Sequence, residues 1–399
     1  MAGRPRARRR LLVLGAGPAQ VGLLEAARAR EDVFVIAIDR DAQAVGLSLA
    51  DERAVLSSED EDAVDRLARA RDVDGIVSPG ADWPVGIAAR VAGRIGLVHP
   101  ISARVGSIAT SKARQREAFA AAGVPHAREV DLRDPEIAFP VVVKAPDRQG
   151  QRGLSLVRSP EDLDAAIAGA LAESRGGAAL VEEHVEGPEV TVNAVSLDGR
   201  FVPLTVTDRL TAAPPAFGVA LAHAWPSAHD VEEAAAVAGR AVGALGILNG
   251  PSYTQLRLGH GGPVVMEVAA RLGGGHDAEL CAAATGVDLN AMAVAFALGE
   301  DADVSPLHGF RPEGGAAVVF LVPPVGRLAA VEGVTEAEAL PGVRWARVYR
   351  RPGQVVGPLR RGADRAGAVL TTGNDRDEAL ERGRRAADAV RFRIDADPS

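Results

Sequence analysis

The sequence predicts an α/β chain of two or three domains that closes with a small α+β tail. Over the first hundred residues, short apolar runs alternate with stretches of helical period, which implies a parallel sheet with helical crossovers. At 399 residues the chain is too long for one hydrophobic core. A Gly- and Pro-rich stretch at 305–315 reads as a linker, and strands and one helix follow it.

Residues 11–14, 33–38 and 75–77 read as strands, with helices over 20–30, 60–70 and 84–94. Such sheets bind ligands at the carboxyl ends of their strands, here the loops 15–20 and 78–83. A second region opens near Ile108. It begins with a helix over 112–122, a strand ending at Lys144, a Gly- and Arg-containing loop over 145–153 and a strand over 154–157. A helix over 161–171 precedes strands over 178–185 and 189–197, the latter turning at Asp198-Gly199, and Pro214-Pro215 marks an irregular loop. A helix over 231–245 leads to strands 252–258 and 263–268, joined by the turn 259–262. Arg271 and Gly273-Gly274-Gly275 then enter one long helix over 277–298. In the tail, 316–322, 345–350 and 368–371 read as strands and 377–390 as a closing helix.

Composition excludes several function classes. Hydrophobic residues make up 47% and aromatics 4%, so the cores must be Ala, Val and Leu. A net charge of −8 argues against nucleic acid or an acidic membrane as partner. The five arginines among the first ten residues read as a frayed tail. The apolar residues after them break at once into Gly15-Ala16-Gly17-Pro18, which suits a first strand and not a signal peptide. No run approaches the ~20 apolar residues of a membrane span. Cys281 is the sole cysteine, which excludes an internal disulfide and fits a buried thiol in a reducing cytoplasm.

Of 45 basic residues, 43 are arginine, and the two exceptions are Lys112 and Lys144. Lysine is a compact point charge where arginine is a planar fork, so a tight site between phosphate oxygens can require it. Both lysines sit at element ends, where ligand groups are commonly placed. With Gln149, Gly150 and Gly153 of the following loop, whose backbone N–H groups suit anionic oxygens, they read as a flexible phosphate clamp. No GxxxxGK[ST] motif occurs. Glu182 and Glu183 end an apolar strand, and Glu189 follows; a solvated acidic turn is the plainer alternative. Gln255 and Glu267 stand on the two strands of one hairpin and can point oxygen ligands at one Mg²⁺ or Mn²⁺. Arg271 precedes the glycines and a helix N-terminus, a place that suits an anion. His276 and Asp277 start that helix as substrate contacts, or Asp277 serves as a plain N-cap. Gly15, Gly17 and Asp39 invite a dinucleotide reading, but Gln20 holds the third glycine position. No Ser/His/Asp or Cys/His constellation is evident.

As an ordered ensemble over about residues 11–300, these segments resemble the ATP-grasp ligases. The segments are AGVP at 122–125, FPVVVKAPDRQGQRG at 139–153, LVEEHVEGPEVTV at 180–192 and VVMEVAARLGGG at 264–275. The resemblance implies a Rossmann-like domain over 1–108, an ATP-grasp domain over 109–304 with a lid at about 126–190, and a small tail domain over 305–399. It implies that Lys112 and Lys144 hold the ATP phosphates. The strand at 182–185 would meet adenine through Glu182, Glu183 and the Val185 backbone. Glu189 would take the ribose, Glu267 would bridge Mg²⁺, and Arg271 would steady the reacting oxygens. The tail is similar to that of the L-amino-acid ligase branch. Two positions depart from the family pattern: Gln255 replaces a frequent Glu, as in the carbamoyl-phosphate synthetase large subunit, and Ala269 replaces a frequent Asn. The implied activity is ATP-dependent joining of a small-molecule carboxylate to an amine through an acyl phosphate, in a cytoplasmic protein for which a homodimer is open. A bicarbonate-dependent carboxylase and a non-catalytic ATP-binding protein remain as alternatives, and an NAD-dependent oxidoreductase rests on Gly15, Gly17 and Asp39 alone.

Overall fold

The computed structural model describes residues 8–134, 136–307 and 313–395. Its first sheet is parallel and four-stranded, in the order Glu52–Val55, Val33–Asp39, Arg9–Leu14, Gly75–Val77. Leu11, Leu12, Val13 and Leu14 are all buried, two against each face, which explains an apolar run without alternation. The edge strand Glu52–Val55 has no fully buried residue, so its sequence carries no apolar signal. The basic start is not a free tail from Arg8 onward. Arg8 pairs with Asp51 at 3.1 Å and Arg9 with Glu300 at 2.9 Å. Arg4 and Arg6 lie outside the described residues.

A three-stranded antiparallel sheet, in the order Ser155–Val157, Val141–Lys144, Leu180–Glu183, forms the lid, and the helix Leu163–Glu173 packs on it. The main body is an eight-stranded antiparallel sheet. Its order is Gly262–Ala269, Gly250–Gly259, Glu189–Leu197, Arg200–Thr211, Ala220–Trp225, Gly315–Leu321, Gly367–Gly373, Val343–Val348. The last three strands come from the tail, and Ala222 pairs with Val319 across the junction. Within the 305–315 stretch, Ser305–Leu307 form a single turn, 308–312 lie outside the described residues, and Gly315 already belongs to a strand.

The strands Arg200–Thr211 and Ala220–Trp225 flank the Pro214-Pro215 loop and were not expected. Burial along Arg200–Thr211 does not alternate, so no period of two is visible there. The single helix expected over 277–298 is a second correction. Two helices, Asp277–Thr285 and Leu289–Ala297, meet at 117°. Gly286, at φ +74°, ends the first, and the Asp288 carboxylate accepts the N–H groups of Asn290 and Ala291 to start the second. Both helices are largely buried, so apolar residues run through the break and hide it. Leu289, Met292 and Ala293 pack in one core with Leu11 and Val13, which fixes the first sheet above the mouth of the main sheet. No single helix among the described residues is long and apolar enough to cross a membrane.

Candidate active site

A cavity of about 590 Å³ lies between the loops of the first sheet, the open face of the main sheet, the 145–153 loop and the tail. A slot of about 110 Å³ leads from it between the lid and the main sheet, walled by Val142, Leu154, Phe217 and Met266. Lys112, Gln149, Gly150, Gln255 and Glu267 line both spaces and therefore mark their junction.

Strand alternation positions Lys144. Val141 and Val143 face the lid core, while Val142 and Lys144 line the slot. The Lys144 ammonium pairs with Glu182, whose carboxylate also receives Arg116 Nε at 2.5 Å. The Glu182 side chain is thus engaged inside a buried triad and leaves adenine only the backbone of its strand. Burial pulls the Lys144 pKa down to about 8, with Glu182 opposing and Arg116 adding to the fall. Burial works against ionised Glu182, but Lys144 and Arg116 outweigh it and hold its carboxyl below the usual range. Glu183 also lines the slot, and its carboxylate pairs with Arg128 at 2.7 Å. The Val185 carbonyl accepts from Arg257 at 3.2 Å.

Lys112 opens the helix Lys112–Ala121, and Ser111 caps it. Its Nζ donates to Glu267 Oε1 at 2.9 Å and to the Arg148 carbonyl at 2.7 Å. Glu267 stands opposite Gln255 in the hairpin register, and a β-bulge between Gln255 and Leu256 turns both Met266 and Glu267 to the ligand side. The Gln255 Nε2 donates to Glu189, which also pairs with Arg209 and, at 3.4 Å, with Arg257. The Gln255 Oε1 has no hydrogen bond among the described residues. One carboxylate and one free amide oxygen, side by side, are the hard donors that Mg²⁺ accepts. Among the described residues no group of three or more His, Cys, Asp or Glu could hold a metal without help. Ala269, opposite Tyr253, adds no oxygen. The site therefore fits a Mg²⁺ that brings most of its ligands with the nucleotide.

Arg271 reaches across to the first sheet's loop and holds Asp82 through Nη2 at 2.6 Å and Nε at 2.7 Å. Burial raises the Asp82 carboxyl, and Arg271 opposes it. The Gln149 side chain accepts the Asp82 backbone N–H, and Gln151 accepts that of Gly362 at 3.3 Å. The loop thus touches the first domain and the tail, with Gly150 and Gly153 at φ +69° and +63°.

The glycines after Arg271 allow close approach. A Cβ on Gly273 would lie 2.2 Å from Asp277 Oδ2, and one on Gly275 would lie 2.9 Å from His223 Cε1. Gly274 meets only the Gly80 carbonyl, at 3.7 Å, and opens to the cavity. Asp277 is not an N-cap, because His276 occupies that position at φ +60°. Its carboxylate instead receives the Gly275 N–H at 2.9 Å and meets His223 Nδ1 at 2.9 Å. His223 overcomes the burial penalty and draws the Asp277 pKa down to about 2. His276 lines the cavity, but Glu279 and the Tyr349 hydroxyl engage its two ring nitrogens. Cys281 is buried, and burial pushes its thiol up to about 12.

The dinucleotide reading meets a filled turn. A Cβ on Gly15 would lie 3.3 Å from the Gln20 side chain, and one on Gly80 would lie 2.9 Å from the Gln20 Nε2. Both Asp39 oxygens are spent on backbone N–H groups of Ala16 and Asp41, at 2.8 and 2.9 Å. Sequence reasoning missed Asp82, Arg116, His223, Tyr253 and Arg365. Asp82, His223, Tyr253 and Arg365 line the cavity and Arg116 pairs with Glu182 of the slot, and no local motif marks any of them.

Residues 109–304 match the family model of the carbamoyl-phosphate synthase L chain ATP binding domain. Residues 319–395 match that of the L-amino acid ligase C-terminal domain 2. The chain is an ATP-grasp protein. The chain is similar to the uncharacterized protein y4rH of Sinorhizobium fredii, 30% identical over 301 residues, or 71% of this chain and 61% of that one. The ATP-grasp enzyme fsqD of Aspergillus fumigatus is 32% identical over 147 residues, 36% of this chain and 25% of that one. The chain thus spans less than two thirds of the length of these curated relatives. The crystal structure of L-amino acid ligase from Bacillus licheniformis shares the ATP-grasp fold. It superposes with a TM-score of 0.83 at 20% identity, covering 98% of this chain and 100% of that one.

Proposed function

We propose that this ATP-grasp chain is an ATP-dependent ligase that joins a carboxylate to an amine through an acyl phosphate. The junction carries the reading: Lys112, Gln255 and Glu267 sit where the narrow slot opens into a cavity large enough for two small molecules, and Lys144 lines the slot. The match of the tail to an L-amino acid ligase domain supports an amino acid as the amine.

In this reading the adenine of ATP enters the slot and the triphosphate lies over the lysines. Mg²⁺ on Glu267 and Gln255 supplies charge neutralisation for the phosphate oxygens. Arg271, fixed by Asp82, orients the acid. Its carboxylate oxygen bonds to the γ-phosphorus as the bond to the β–γ bridging oxygen breaks and ADP leaves. Phosphoryl transfer of this kind needs positioning and charge more than covalent help. The 145–153 loop, bonded to Asp82 and Gly362, keeps water from the acyl phosphate. The amine nitrogen then bonds to the acyl carbon, phosphate departs, and the amine proton passes to His223, which Asp277 orients. Small molecules are the partners, a cytoplasmic location keeps Cys281 reduced, and the homodimer is checked by light scattering.

Nucleotide chromatography after turnover with a matrix of acids and amines is expected to show ADP and phosphate. AMP and pyrophosphate would overturn the acyl-phosphate reading. Phosphate released with bicarbonate alone would replace the ligase by a carboxylase.

Lys144 gives a pH test. Raising the pH through about 8 removes its charge in the free protein, so kcat/KM for ATP is expected to fall above that point. Between pH 8 and its usual 10.5 the unfolded chain binds a proton that the folded one lacks. This group therefore makes folding more favourable as pH rises there, and the lost activity is not unfolding. Lys144→Arg is expected to lose at least ~10-fold in rate, about 1.4 kcal/mol, because a wide fork does not fit a point-charge site. Its profile should stay flat above pH 8.

A further inference from the structure

Arg365 has no role in the chemistry above. It precedes the strand Gly367–Gly373, and its guanidinium lies 3.6 Å from the centre of the Phe320 ring in the cavity wall. Nε donates to the Gly362 carbonyl at 2.8 Å and Nη1 to the Ala220 carbonyl at 3.3 Å. Nη2 has no hydrogen bond, and no carboxylate pairs with this side chain, among the described residues. Of the other arginines lining the cavity, Arg209 has Glu189 and Arg271 has Asp82, while Arg40, Arg148, Arg152 and Arg350 pair with no carboxylate among the described residues; Arg365 differs from these four in lying over the Phe320 ring. Burial lowers the Arg365 pKa to about 10, so the fold bears an uncompensated charge there.

A second group faces the same space. Tyr253 lines the cavity two residues from Gln255 on the same strand face, and its hydroxyl has no hydrogen bond among the described residues. Opposite it stands Ala269, too short to reach the hydroxyl. Phe320 links Arg365 to the chemistry. Arg365 covers its face, while His223 meets it edge-on with ring centres 5.7 Å apart at 79°. An amine whose proton goes to His223 therefore sits about one aromatic ring away from Arg365. In an amino acid the carboxylate is two bonds from the amine nitrogen, the right reach for that gap. A cation with a free N–H and a free hydroxyl is the donor set that a carboxylate takes.

We propose that Arg365 and the Tyr253 hydroxyl form the subsite for the free carboxylate of the amine substrate, which makes that substrate an amino acid and excludes simple amines. This rests on the ligase reading. Arg271 serves the other substrate, since it is tied to Asp82 on the opposite wall.

The test titrates each proteinogenic L-amino acid and its carboxamide into the full chain with Mg²⁺ and a non-hydrolysable ATP analogue. Ligation kinetics are run beside it. At least one amino acid is expected to bind ~30-fold or more tightly than its own carboxamide, the scale of a charge-assisted hydrogen bond. Arg365→Met should bring that ratio to within ~3-fold of unity and raise the KM for the amino acid, with the KM for ATP changed less than ~2-fold. Its melting temperature should stay level or rise, because a half-buried charge without a carboxylate partner is gone; a merely structural arginine would lower it. Tyr253→Phe, which removes one oxygen, should lower the ratio ~5-fold and keeps the test open if Arg365→Met does not fold. Equal binding of carboxamides to the unsubstituted chain, no binding of any amino acid, or a ratio that survives both substitutions would overturn the subsite. Binding with the expected preference but no phosphate release from any pair would leave the subsite standing and overturn only the ligase reading.

Discussion

Glu267→Gln is expected to lower turnover by at least ~1000-fold, about 4 kcal/mol of transition-state stabilisation, because it removes the one carboxylate of the metal pair. The same change frees Lys112, which then keeps only the Arg148 carbonyl. Nucleotide binding without Mg²⁺ should therefore weaken little, by less than ~10-fold, while a magnesium titration of the ATPase rate shows no recovery at high metal. Gln255→Glu should be milder. It adds a metal ligand but loses the N–H donated to Glu189 and sets two carboxylates side by side, with Arg209 and Arg257 to share. An apparent Mg²⁺ requirement that tightens, with slower ADP release, is the expected result. Equal and small effects from both substitutions would remove the metal from this hairpin.

Glu182→Gln is expected to destabilise the fold by about 3–5 kcal/mol, the usual cost of leaving buried partners of an ion pair uncompensated. Here two cations are stranded together, Arg116 and Lys144, in a site that is almost dry. Since a domain holds only ~5–15 kcal/mol in reserve, urea melts should shift visibly. The triple change Arg116→Met, Lys144→Met, Glu182→Leu separates stability from function. It removes all three charges at similar volume and should recover most of the stability while ATP binding stays lost. A Glu182→Gln melt that matches the parent would mean that the triad is solvated in the working protein.

The lysines show how a site can be legible before its geometry. Their rarity and their places at element ends mark Lys112 and Lys144, and the structure brings both to the slot, Lys112 at its junction with the cavity. Gln255 and Glu267 are equally readable, because two short strands and a four-residue turn leave few registers. Glu182 was legible only as a carboxylate at a strand end. Its direction depended on Arg116, 66 residues away, and on which face of the lid strand carries Lys144. Asp277 shows the same limit, since an N-cap and a histidine-orienting carboxylate look identical until His223 arrives from an unrecognised strand.

By itself the sequence determined what depends on near neighbours: the parallel first sheet from its strand–helix alternation, the strand ending in Lys144, the hairpin that pairs Gln255 with Glu267 and the glycines around Arg271. Tertiary structure alone decided what depends on distant partners. It broke the 277–298 segment into two helices, because both halves are buried and apolar spacing does not report a bend between buried elements. It continued the main sheet through the tail, because strand pairing is a backbone interaction that leaves little trace in side-chain type. It also placed Arg365 beside Phe320, in the wall of the cavity that Tyr253 lines. A charge without a partner is a property of the space around it, and that space exists only once three separate segments have folded together.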